Sequence, residues 1–141
     1  MLQKELYKKS IEREVNPAVS ASDMKPDVVN VEIDEYVFTD EIVIGLYEVI
    51  NGIKNANVSH NGIWINGFYG SGKSYFSKMI GFLLKNPSIQ GTSVRDRFQS
   101  KLIGLPNAGL LQNSINELGR TNNHIVLFDA AKTTGNHGIS Y

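Results

Sequence analysis

Apolar positions along the chain recur at two spacings. Phe76, Met79, Ile80, Leu83 and Leu84 fall at i, i+3, i+4, i+7 and i+8, which predicts a helix with one apolar face, ended by Lys85-Asn86-Pro87-Ser88. Another helix is predicted to follow Thr39. The Thr39 hydroxyl suits an N-cap, and Asp40 and Glu41 sit in the first turn, where the helix dipole favours acids. Ile42, Leu46, Val49, Ile50 and Ile53 carry its stripe on to Asn55-Ala56-Asn57. Residues 94–103 predict a further helix with Arg95, Asp96, Arg97 and Lys101 exposed. Leu110, Leu111, Ile115 and Leu118 outline one more, stopped by Gly119. Two short runs break from helical spacing. Gly62-Ile63-Trp64-Ile65-Asn66 and His124-Ile125-Val126-Leu127-Phe128-Asp129 read as buried strands. Upstream, residues 2–14 are mixed and charged, Asn16-Pro17 and Lys25-Pro26 mark a loop, and residues 28–31 read as a short extended piece.

Between the first strand and its helix lies Gly67-Phe68-Tyr69-Gly70-Ser71-Gly72-Lys73-Ser74, which fits the phosphate-binding (Walker A) pattern G-x-x-x-x-G-K-[ST]. The spelling has a physical basis. A polyphosphate is held by many inward backbone N–H groups, and Gly67, Gly70 and Gly72 let the chain take positive φ and approach the anion closely. The helix that starts near Lys73 adds unpaired N–H groups and the positive end of its dipole. Lys73 is the candidate for the β- and γ-phosphates, stabilising charge in the reaction, and the Ser74 hydroxyl is the candidate ligand of Mg²⁺. Phe68, Tyr69 and Ser71 fill the free positions of the loop and belong to the binding site by position. The predicted fold class is therefore α/β, a partial P-loop NTPase of AAA+-like type, with a parallel sheet flanked by helices. Residues 1–38 are an N-terminal extension and residues 39–141 the first part of the NTPase domain. Only two strands can be found where such a sheet usually has about five, so the chain is expected to be the N-terminal piece of a longer protein.

Composition narrows the picture further. Fourteen basic and fourteen acidic residues cancel, so overall charge lends no support to nucleic-acid binding by this segment. With no cysteine there is neither a disulfide framework nor a thiolate metal site. No apolar run reaches the roughly 18 residues that span a bilayer, and the N-terminus lacks a signal-peptide core, so a cytoplasmic protein away from membranes is expected. Asp129, closing the second apolar run, is either the second acid near Mg²⁺ or the end of an ordinary core strand. His60, His124 and His137 are too scattered to suggest metal ligation, and Arg95, Arg97 and Arg120 read as helix-surface residues. Tyr36 and Phe38 read as core residues that could also lie near a base.

Ile33-Asp34-Glu35-Tyr36-Val37-Phe38-Thr39-Asp40-Glu41, followed by the strand, the glycine loop and Tyr75-Phe76, resembles the start of the large P-loop protein of bacteriophage-exclusion (BREX) systems, the BrxC/PglY family. The Glu-Tyr-Val-x-Thr lead-in is what points to that family. The acid of the second strand departs from the family pattern: the family tends to show Asn-Ile-Asp, and this chain has Asp129-Ala130-Ala131. The resemblance implies an ATPase of phage defence that works with ATP and Mg²⁺, alongside other BREX components and near DNA, with homo-oligomer formation open to the full-length protein. On this reading the fragment binds nucleotide weakly and hydrolyses none measurably. The alternative is a nucleotide-gated binding or assembly module with little turnover.

Overall fold

The computed structural model describes residues 9–13, 19–20, 23–56, 62–119 and 123–127. Helices dominate. In chain order they are α1 (Pro26–Glu35), α2 (Asp40–Lys54), α3 (Lys73–Lys85), α4 (Val94–Lys101) and α5 (Ala108–Leu118). Between α3 and α4 a two-stranded antiparallel hairpin pairs β1 (Ser88–Ile89) with β2 (Thr92–Ser93). None of the described helices is long and apolar enough to cross a membrane.

Local chemistry sets the helix ends. Thr39 Oγ1 accepts from Ile42 N at 3.3 Å, so α2 starts where its cap predicts. Asn86 ends α3 in the left-handed region, and its amide donates to Phe82 O. Ser93 caps α4 by accepting from Asp96 N at 3.2 Å. Pro26 at the first position of α1 has a φ already suited to a helix and lacks the N–H that would go unpaired there. That position turns residues 28–31 into helix, where the β-branched Val28-Val29 and Val31 read as extended. Val29 and Ile33 are one turn apart and both buried.

One apolar cluster joins the five described helices. Val43, Leu46 and Ile50 of α2 meet Leu111, Ile115 and Leu118 of α5, the most extensive helix pair. Met79, Phe82 and Leu83 of α3 and Phe98 of α4 complete the centre. Two charged side chains are enclosed with them. Lys78 Nζ on α3 lies 2.6 Å from Glu32 Oε2 on α1, with Lys78 0% and Glu32 1% exposed. Burial of that depth requires a paired charge, so the ion pair fixes α1 against α3.

The parallel sheet expected from the sequence is absent among the described residues. The only sheet among the described residues is the short β1–β2 hairpin, and the fold is mainly helical. The described parts of the two predicted strands, residues 62–66 and 124–127, have no strand partner among the described residues. Their side chains nonetheless alternate. Ile65, Ile125 and Leu127 face the core and are half-buried, while Trp64 (89% exposed) and Val126 (82%) face outward. Ile63, on the inward side of its segment, reaches the α2 backbone at Gly52, and Leu127 fits over Gly81 of α3, where an added Cβ would sit 2.6 Å from its Cδ1. Period-two patterning in a β-branched run fixes which side faces the helices. It does not supply the neighbouring strand that would make a sheet.

Candidate functional site

The loop at residues 67–72 runs from the Trp64 segment into α3. Gly70 (φ 78°) and Gly72 (φ 82°) are left-handed, a conformation that costs an L side chain roughly 1–2 kcal/mol. At Gly67 an added Cβ would lie 2.9 Å from Ser71 Oγ, so a side chain there would make Ser71 turn away. Ser71 N donates to Phe68 O at 3.2 Å and closes the turn. Gly72 is the N-cap of α3, and no side chain caps it. The first turn thus presents N–H groups toward the loop without a side-chain acceptor. Lys73 folds back across the turn. Its Nζ donates to Gly67 O at 2.9 Å and Phe68 O at 2.7 Å, with Ser71 Oγ at 3.4 Å.

The ammonium therefore closes the throat of the loop with neutral carbonyl partners. Beside it opens a pocket of about 710 Å³, within the range of small-ligand sites. Gly67, Phe68, Ser71, Gly72 and Lys73 border this pocket. A phosphate there could exchange with the carbonyls as partner of Lys73, and a bond between two charged groups is the stronger one.

The opposite wall comes from the α1–α2 turn and the start of α2: Tyr36, Val37, Glu41, Ile42 and Gly45. Tyr36 is held by rings on three sides, edge-on to Phe38 (5.1 Å) and Tyr75 (4.9 Å) and stacked with Phe98 (6.3 Å). The Tyr75 hydroxyl donates to Glu32 O, and burial raises the pKa of both tyrosines. Tyr75 follows Lys73 by two residues, so the aromatic cluster ties the far wall to the first turn of α3. Gly45 lies close to α3: an added Cβ would be in ordinary contact with Phe76 Cζ at 3.4 Å. Glu41 is the one carboxylate lining the pocket among the described residues. Its pKa is lowered by its own backbone N–H and by the Thr39 hydroxyl.

Two helix C-termini are finished by cations from α4, that of α1 beside the pocket and that of α3 at the end of the helix away from the loop. Arg95 donates to Leu83 O (2.7 Å) and Leu84 O (3.1 Å) at the end of α3. Lys101 donates to Ile33 O (2.5 Å), Asp34 O (2.7 Å) and Tyr36 O (3.1 Å) at the end of α1. Arg97 bonds Asn30 (2.9 Å) and Asp34 (2.5 Å) on the same helix. The expectation of an exposed cationic face on this helix is thus corrected for Arg95, Arg97 and Lys101. Each is half-buried because helix-end carbonyls and α1 side chains need donors there.

Of the residues singled out from sequence, Tyr69 and Ser74 are exposed and, like Gly70, do not border the pocket. Asp129, His60, His137 and Arg120 lie outside the described residues. His124 is exposed, and no group of three or more potential metal-binding side chains occurs among the described residues. Sequence reasoning did not single out Val37, Glu41 or Gly45 as pocket residues. A glycine inside an otherwise regular amphipathic helix was the available signal for Gly45. No protein-family profile matches the chain, and no solved structure matches it.

Proposed function

We propose that the chain binds the polyphosphate of a nucleotide, ATP with Mg²⁺, at the glycine loop and the pocket beside it. The observation that carries this reading is the convergence at one pocket of the left-handed Gly72, an N-terminal helix turn with no side-chain cap, and an ammonium held only by neutral oxygens. The triphosphate would lie against residues 67–73, with Ser74 on the first turn of α3 as the Mg²⁺ ligand. The nucleoside would occupy the recess between Tyr36-Val37 and Phe76. Residues 67–74 supply positioning and charge stabilisation. Hydrolysis also needs a group to orient water, and Glu41 is the only carboxylate on the pocket wall among the described residues. Binding is thus the activity these residues support best. In a phage-defence protein of the kind the sequence resembles, it would serve either turnover by the whole ATPase or nucleotide-gated assembly with its partners.

Titration of the chain with a fluorescent ATP analogue in Mg²⁺ tests this. Saturable binding that Lys73→Ala weakens by roughly 100-fold is expected, since a charge-assisted contact to phosphate is lost. Unchanged binding by that variant would remove the basis for the proposal.

A further inference from the structure

Lys101 is the last residue of α4, and its side chain serves the end of a different helix. Its ammonium has three donors, and three backbone carbonyls of α1 and the following residue surround it: Ile33, Asp34 and Tyr36. Ile33 is fully buried, and Tyr36 is the first residue of the pocket wall opposite the loop. Without a donor at this place, three carbonyls at a helix C-terminus would lose their shared partner. The chain could then leave α1 at another angle and carry Tyr36 and Val37 with it. Lys101 itself does not border the pocket.

We infer that Lys101 is a positioning residue for the nucleoside, holding the Tyr36-Val37 wall at the distance from the glycine loop that a base and sugar require. The inference rests on the nucleotide reading above and divides the site in two. The phosphate half is built by residues 67–73 alone, and the nucleoside half depends on α4. Direct attraction of the phosphates by Lys101 is a poor rival account. Lys9, Arg97, Asp34 and Glu35 surround it with two further cations and two carboxylates, so one charge more or less changes the field at the loop little. Burial lowers its pKa by penalising the charged form.

Isothermal titration of the full chain with MgATP and, separately, with magnesium tripolyphosphate distinguishes the halves. Lys101→Met is expected to weaken MgATP about tenfold and to leave tripolyphosphate within about twofold, while Lys101→Arg stays within about threefold of wild type for both. Lys73→Ala weakens both ligands. Equal losses for the two ligands in Lys101→Met, or no loss for either, would overturn the inference. If circular dichroism shows Lys101→Met unfolded, Lys101→Gln, whose two N–H groups on a shorter stem cannot serve all three carbonyls, replaces it under the same criteria. A wild-type chain that binds neither ligand would overturn the nucleotide reading itself, and this inference with it. A wild-type chain that binds both, beside a variant with equal losses, overturns the positioning role alone.

Discussion

Two helix ends face the same pocket and are finished in opposite ways. The C-terminus of α1 is crowded with donors: Lys101 on three carbonyls, Lys9 on Asp34 O at 2.9 Å, and Lys9 and Arg13 on the Glu35 carboxylate. The N-terminus of α3 has a glycine cap, no capping side chain and a lysine bent back over its loop. Helix ends inside a fold are normally given partners, because an unpaired polar group costs about 1–3 kcal/mol when buried. The saturated end is thus built to hold a wall still. The bare end remains available to an anion that brings its own acceptors. The buried Glu32–Lys78 pair joins the helices that carry these two ends.

The largest effect is expected at that joint. Lys78→Met leaves Glu32 enclosed without its cation and should cost about 3–5 kcal/mol of stability, whereas Glu32→Leu combined with Lys78→Met should return most of it. Chemical denaturation of the two variants and wild type checks this, and a double variant no better than the single one would mean the pair is not what joins the helices. Lys73→Ala comes next, acting on affinity and hardly on stability. A matching drop in its thermal midpoint would mean that the bare end is structural after all. Gly72→Ala forces a side chain into the left-handed region and should cost about 1–2 kcal/mol by the same denaturation assay.

The smallest effect belongs to the saturated end. Arg13 first, then Lys9, holds the Glu35 pKa at about 2, below its ordinary 4.5. A carboxylate lowered in this way contributes stability above its unfolded value and loses it as pH falls through the folded one. Thermal midpoints should therefore fall between about pH 4.5 and pH 2 in wild type and fall less in Glu35→Gln. At neutral pH the cost should be only about 0.2–1 kcal/mol, because both cations sit near solvent. Identical acid profiles would show that the crowding at this end carries no charge dependence.

The parts of the fold legible in the sequence are those set by neighbours within a turn or two. Thr39-Asp40-Glu41 announces α2, Asn86-Pro87 ends α3, and the 76-79-80-83 stripe defines which side of α3 is buried. The glycine loop was legible for the same reason, since its chemistry is spelled within eight consecutive residues. The rest depends on distant partners. Nothing within a turn of Glu32 or Lys78 marks either for burial until α1 is laid on α3, and Arg95, Arg97 and Lys101 read as a polar face until the ends of α1 and α3 arrive beside them. The strand expectation failed in the same way. The Ile63-Trp64-Ile65 and Ile125-Val126-Leu127 runs are one-sided, but a sheet is a property of pairs.

Trp64 is the chain's single tryptophan, and it projects from that one-sided run three residues ahead of the glycine loop. Its indole is almost wholly in water, so its emission belongs to this one spot and to no other. The protein thereby carries an intrinsic optical probe: external quenchers should reach the ring freely, and whatever comes to lie over that outer face will announce itself as a blue shift and a loss of quenching.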